Sequence, residues 1–379
     1  MRTILRLASF FKPFWKMVVV SVLSGTATIV CGIGLLGSSA YLLSMAALQP
    51  SISILQVSIV GVRFFGLSRG IFRYLERLSS HAVNLRIVSA LRAWFFEALE
   101  PLAPARLMEF GSGDVLDRAV GDIEILENFY VRVFAPLITA GLITFGMGIF
   151  IGSFEPQLGW MLVLGLLMSE VFLPFGLLFG LKKTGRELIG QRAEMSKLVV
   201  EFSQAMGELV ILDQTSMQKI KILHAENNTG RSQMHLNNLN GLFNGLLVLV
   251  TGLTIWVMLQ VGIPLVENGV LDGVDLAVVI LASIASFETA SPLITGSGLM
   301  EANLTAARRL FKLVDTRPAV EECSNPRPLP LQDRLEMSHV SFGYGMESQK
   351  VLQDFCLVIE PGKRIAIVGE SGAGKTSVI

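Results

Sequence analysis

The stretch Gly369-Glu370-Ser371-Gly372-Ala373-Gly374-Lys375-Thr376-Ser377 carries the spacing G-x-x-x-x-G-K-[ST], which suits a nucleotide's phosphates. Its glycines let the backbone curl so that successive N–H groups point at phosphate oxygens, and Lys375 can reach the terminal phosphates. Thr376 offers a hydroxyl to Mg²⁺ where a helix begins. Such a loop needs a strand before it, and residues 364–368 (Arg-Ile-Ala-Ile-Val) supply a β-branched apolar run. The bland alternative, a glycine-rich turn that binds nothing, has no use for that strand.

Four charged residues lie where apolar neighbours dominate: Arg63 and Arg69 in one segment, Glu170 and Glu288 in two others. Arg63 and Glu170 each fall about 17 Å from the outer end of their segment at 1.5 Å per residue, close to a bilayer midplane. A charge there costs about 2.5–3.5 kcal/mol on the insertion scale, so such residues pair or line a wet cavity. Two readings stand: a mutual ion pair between Arg63 and Glu170, or the walls of a cavity facing a polar solute. Arg69 and Glu288 raise the same alternatives nearer the cytoplasm. Arginine binds carboxylates bidentately, so a basic cavity suits a solute with carboxylates, whereas a lipid needs no such charges. Arg73, Arg77 and His81 recur every four residues and share one face of a continuous helix. His224, His235 and His339 have no metal-ligand spacing.

Hydropathy sets the elements that hold these residues. Charged residues make up 16% of the 379-residue chain, against roughly 25% in soluble domains, and mean hydropathy is +0.58. Lipid is therefore the main solvent. The 31 basic and 31 acidic side chains balance, which singles out no nucleic-acid partner. Cys31, Cys323 and Cys356 are far apart and odd in number, as expected of reduced thiols rather than disulfides or a zinc site. Stretches of about 20 apolar residues, enough to span the hydrocarbon core, fall at 17–43, 52–72, 133–153, 158–181, 242–263 and 274–294. Connections 46–51, 154–157 and 264–273 lack Lys and Arg, whereas 79–132 and 182–241 are long and basic. Positive-inside bias puts the N-terminus and both long loops in the cytoplasm, and six crossings return the chain to the same side. Residues 1–314 thus read as a transmembrane domain of six helices with long cytoplasmic extensions, and 315–330 as a Pro-rich linker. Residues 331–379 read as the opening of an α/β domain, with strands at 335–342, 351–359 and 364–368.

Arg73-Tyr74-Leu75-Glu76-Arg77-Leu78-Ser79-Ser80-His81, Pro101-Leu102-Ala103-Pro104-Ala105, Gly113-Asp114-Val115-Leu116-Asp117-Arg118 and Ser286-Phe287-Glu288 resemble the CydC branch of the heterodimeric CydDC-type ABC exporters. Val340-Ser341-Phe342-Gly343-Tyr344 is similar to the strand whose aromatic residue stacks on adenine in ABC nucleotide domains. The resemblance covers essentially the whole chain. It implies a mainly α membrane protein: a six-helix ABC exporter transmembrane domain followed by the start of an α/β P-loop nucleotide-binding domain, truncated just after the phosphate loop. ATP and Mg²⁺ follow as cofactors, with Tyr344 against adenine. The implied partner is a CydD-like half-transporter in a bacterial inner or plasma membrane. The implied cargo is cysteine and glutathione, moved outward in support of cytochrome bd assembly, with Arg63, Arg69, Glu170 and Glu288 facing the substrate.

The same resemblance implies b-type haem, with His81 at the axial-ligand position and Arg77 one turn earlier to hold a propionate; spacing identifies no second ligand. Residues 113–118 and 209–215 fall where exporters of this kind place coupling helices. Two other functions suit these residues: a homodimeric lipid or peptide exporter, and a haem-binding regulatory membrane subunit with an inert nucleotide site. The Q-loop, signature helix, catalytic glutamate and switch histidine of an ABC domain do not occur within residues 1–379, so these residues alone are expected not to hydrolyse ATP. Epitope tags placed before residue 1 and after residue 379 are expected on one, cytoplasmic, face in a protease-protection assay. Tags on opposite faces would overturn the six-crossing reading.

Overall fold

The structure, a computed structural model, describes residues 2–103, 105–110, 112–318, 334–343 and 350–379. The chain divides into two compact units, Met1–Ala319 and Val320–Ile379. In the first, α1 (Arg2–Ser9) leads through a 3₁₀ turn into α2 (Trp15–Ala47), and a short break precedes α3 (Ile52–Leu99). The short helices α4 (Ala105–Phe110), α5 (Ser112–Asp117) and α6 (Ile123–Phe129) run into α7 (Ala135–Gly152), which turns tightly into α8 (Pro156–Leu167). A second excursion comprises α9 (Leu173–Gln204), α10 (Met206–Ile211) and α11 (Thr215–Glu267); α12 (Gly273–Ser286) and α13 (Ala290–Val314) complete the bundle. Pro156 starts α8 where its missing N–H leaves no bond unmade, and Asp272 caps α12 by accepting from the Val274 N–H.

Among the described residues, six helical stretches are long and apolar enough to cross a membrane: Leu5–Ala47, Ile52–Leu102, Asp114–Gly152, Pro156–Gly180, Thr215–Glu267 and Gly273–Val314. The chain is a multi-pass membrane protein. Its 48-residue α3 and 53-residue α11 measure about 72 and 80 Å at 1.5 Å per residue, more than twice the ~30 Å hydrocarbon core. Both therefore extend far beyond the bilayer. They are also the least covered: none of the most apolar window of the α3 stretch is buried and 11% of that of α11, against 33–56% for the other four.

The bundle has apolar ends and a polar middle. One cluster joins α1, α3, α6 and the end of α13 through Leu7, Phe11, Val83, Ile87, Phe129 and Leu310. A second joins α2, α7, α8, α11 and α12 through Ile33, Met147, Leu162, Met258 and Val279. Between them lie buried Thr28, Thr139, Thr144, Ser283, Ser286 and Thr289. Several satisfy themselves locally, as a hydroxyl in lipid must: Thr28 donates to the Ser24 carbonyl at 2.9 Å, Ser283 to Val279 at 2.7 Å and Ser286 to Ser283 at 2.7 Å.

The helices depart from α geometry at a repeated spacing. Pro136, Pro174 and Pro292 each lie four residues after a charged residue, namely Arg132, Glu170 and Glu288. Proline has no N–H to give to the carbonyl four residues back. The helix accordingly widens into π turns at Tyr130–Phe134 and Met168–Phe172 and tightens into a 3₁₀ turn at Phe287–Thr289.

Two charged clusters fasten other segments to the C-terminal part of α13. Arg6 pairs with Asp315 at 2.8 Å and lies over the Phe311 ring at 4.2 Å, tying α1 to the end of α13. Arg309 of α13 reaches Asp117 at 2.9 Å, Asp114 at 3.2 Å and Asp122 at 3.3 Å, and Arg118 donates to its carbonyl at 3.0 Å. Expected coupling segment 113–118 is thus bound to α13 over its described side chains.

In the second unit β1 (Leu335–Phe342) and β2 (Leu352–Ile359) pair antiparallel, from Leu335 opposite Ile359 to Phe342 opposite Leu352. The register shifts twice, and His339 and Asp354 take positive φ at those irregularities, of 53° and 52°. The expected strand at 364–368 is a correction: that run is irregular, with Ile365, Ile367 and Val368 exposed. A strand exists only as part of a hydrogen-bonded ladder, and among the described residues no neighbour pairs with this run. The linker expected at 315–330 lies beyond residue 318 outside the described residues.

Candidate functional site

The phosphate-loop residues are built as the motif requires. Gly372 and Gly374 take φ of +90° and +81°, conformations that a side chain would strain. The loop closes through Ala373 N–H to the Glu370 carbonyl at 3.2 Å, and α14 (Lys375–Val378) follows directly. Lys375 folds back over the loop, its ammonium donating to the carbonyls of Gly369 at 2.8 Å and Glu370 at 2.6 Å. One of its three donors is left for an incoming oxygen. Ser371 and Thr376 are exposed beside it. Tyr344 lies outside the described residues.

In the membrane bundle the four expected charges separate into three situations. One terminal guanidinium nitrogen of Arg69 on α3 donates to both Glu288 oxygens, at 2.8 and 2.7 Å, and Arg73 approaches the same carboxylate at 3.4 Å. The pair fits because α2 presents Gly32 to it: a Cβ there would stand 3.3 Å from the Arg69 guanidinium carbon and 3.6 Å from a Glu288 oxygen. Glu170, 8% exposed, has no cation among the described residues; it accepts from Thr144 at 2.6 Å and Thr289 at 2.5 Å. Arg63 is exposed and makes no ion pair among the described residues. The mutual Arg63–Glu170 pair is therefore not formed within this chain. Thr144 and Thr289 were missed by sequence reasoning, since a threonine in an apolar helix ordinarily bonds its own backbone. The charge-to-proline spacing of four was the available signal.

His81 and Arg77 lie one turn apart on the exposed face of α3. Tyr74, Leu78 and Leu85 share that face and are 57–67% exposed. An unengaged imidazole within an apolar stripe, with a guanidinium one turn before it, fits one haem axial ligand and one propionate contact. Among the described residues no group of three or more metal-ligating side chains forms.

No family model matches the chain. It is 26% identical over 388 residues to the glutathione/L-cysteine transport system ATP-binding/permease protein CydC of Escherichia coli K12, an alignment covering all of this chain and 67% of that protein. The Haemophilus influenzae protein of the same name is 29% identical over 331 residues, covering 84% and 55%. CydD of Bacillus subtilis, named for the same transport system, is 28% identical over 375 residues, covering 97% and 64%. The chain thus spans 55–67% of the length of these relatives. The resemblance and the fold class expected from the sequence are borne out: a mainly α membrane protein with six helical stretches long and apolar enough to cross a membrane, followed by a unit with a two-stranded sheet, similar in sequence to ABC ATP-binding/permease proteins.

Gly32→Val is expected to push the Arg69 guanidinium off Glu288 and to destabilise the bundle by about 1–3 kcal/mol, as overpacking does. Thermal melting of the purified protein in detergent checks it. Gly141→Val, at a position where nothing lies within 4 Å, is the control and should melt near the wild type.

Proposed function

We propose that this chain is one half of an ATP-driven exporter that moves cysteine and glutathione out of the cytoplasm, in support of cytochrome bd assembly. One observation carries the reading. A single chain joins a phosphate loop to a six-helix bundle whose middle holds ion-paired and hydroxyl-bonded charges, which export of a lipid would not require. The names of the full-length relatives support the thiol cargo and a CydD-like half-transporter as partner. The exposed faces of α3 and α11 support a partner as well, since a second half can cover them. The long basic loops support a cytoplasmic N-terminus and nucleotide unit.

In this reading Gly369 to Ser377 hold the phosphates, with Thr376 on Mg²⁺ and Tyr344 against adenine. Arg63, Arg69, Glu170 and Glu288 serve the substrate path. Arg69 and Glu288 hold each other and set its electrostatics, Glu170 offers a carboxylate toward an ammonium, and Arg63 meets either the cargo or the partner half. ATP-dependent uptake of labelled cysteine and glutathione into inverted vesicles carrying both halves tests the proposal. Lys375→Ala should reduce uptake to background and Arg63→Ala should lower it. Wild-type vesicles that take up neither thiol would overturn the cargo.

A homodimeric lipid or peptide exporter remains the second reading. It is favoured by an apolar cavity of about 570 Å³ between α7 and α8, bordered by Phe145, Trp160 and Val163. Isolation of one species rather than two from native membranes supports it over the heterodimer.

His81 is also proposed as an axial ligand of b-type haem, with Arg77 holding a propionate. Bound haem supplies a redox-active iron; this chain's part is to ligate it and fix its orientation. The Soret band of the purified protein should be lost in His81→Ala and weakened in Arg77→Ala, and an unchanged band removes the assignment.

A further inference from the structure

A cavity of about 240 Å³ opens between α2, α3, α7 and the turn before α13, with Arg73, Glu76, Glu288, Ser21, Thr139 and Thr289 among its walls. Glu288 is already held by Arg69 through both oxygens, and the 3.4 Å approach of Arg73 is the longest of the three contacts. Arg73 therefore retains most of its five donors. Glu76, one turn further along α3, forms no hydrogen bond or ion pair through its carboxylate among the described residues, not even with Arg73. Ser21, 2% exposed, also borders the cavity, but its hydroxyl is buried against the Tyr130 phenol. One cation and one anion thus face a common space.

We propose that this cavity binds a single free α-amino acid of cysteine's size. Arg73 takes the α-carboxylate and Glu76 the α-ammonium. The assignment deepens the exporter reading above, on which it rests for the identity of the cargo. Size decides between the two thiols. A volume of 240 Å³ equals the share of about eight water molecules at ~30 Å³ each. Cysteine, with seven non-hydrogen atoms, fits within it, whereas the tripeptide glutathione, with twenty, would have to extend through its open side. Its charge pattern is also wrong, with two carboxylates against one cation. Glutathione must then be held elsewhere or across a wider space.

Gly25 gives a way to fill the cavity without touching its charges. A Cβ at Gly25 would lie 3.5 Å from Glu76 Cγ and 3.7 Å from Thr139 Oγ1, ordinary contact distances, so Gly25→Ala is accommodated. Gly25→Leu projects into the space. Equilibrium binding of labelled L-cysteine to the complete transporter in nanodiscs should weaken at least about tenfold in Gly25→Leu and in Arg73→Gln, the loss expected of a charge-assisted hydrogen bond. Gly25→Ala should stay within about twofold. L-Alanine should compete and N-acetyl-L-cysteine, which lacks the ammonium, should not, while glutathione binding in Gly25→Leu should hold. Unchanged cysteine binding in both Gly25→Leu and Arg73→Gln, or equal losses for cysteine and glutathione, overturns the proposal; Arg73→Gln also covers the case in which Gly25→Leu does not fold. Uptake by inverted vesicles separates the two claims. Cysteine binding with this variant pattern but no ATP-driven uptake supports the cavity and removes the exporter reading, whereas uptake insensitive to these variants removes the cavity.

Discussion

A charge placed among apolar helices must be matched where it stands, because neither lipid nor a packed side-chain interior solvates it. The middle of this bundle is organised by that requirement. Arg69 and Glu288 neutralise one another across α3 and the α12–α13 turn, and two threonines from different helices hold Glu170. Each match constrains several helices at once, so the polar layer fixes how the helices stand relative to one another more tightly than apolar packing could. The apolar clusters on either side are tolerant by comparison, since hydrophobic contact is non-directional.

The prolines bear on the same layer. A proline four residues after Glu170 and after Glu288 frees each acid's own carbonyl and forces a wider or tighter turn there. The acids are thus found where the helix is least regular, and irregular turns within membrane helices tend to mark working sites. Outside this layer the unit is tied by surface charge. Arg309 gathers three aspartates from the segment preceding α7, and Arg6 joins the start of the chain to Asp315. These links bind the segment preceding α7 to the last helix. Exposed ion pairs are individually weak, and here several converge on a single guanidinium.

The glycine-rich loop at 369–377 obeys a different constraint. Its backbone passes through left-handed positions at Gly372 and Gly374, and its lysine closes on two carbonyls of the loop itself. The shape is set by local stereochemistry and needs little from the sheet behind it. That is why the loop is well formed although the run at 364–368 before it is not a strand.

Composition, apolar length and glycine spacing determined six membrane helices, the long excursions between them, and the phosphate loop, because each follows from local rules of solvation or backbone freedom. The charges in the membrane were equally legible as oddities at Arg63, Arg69, Glu170 and Glu288. Their partners were not. Whether Glu170 meets an arginine or two threonines, and whether Arg69 finds Glu288, depends on how helices rotate and cross. Contacts 119 and 219 residues apart have no signature in sequence spacing. The strand at 364–368 failed for the same reason in reverse: its apolar run met every local criterion, but a strand is made by its neighbours. Only the tertiary arrangement decided which polar groups met one another and which, like Arg73 and Glu76, border a shared cavity.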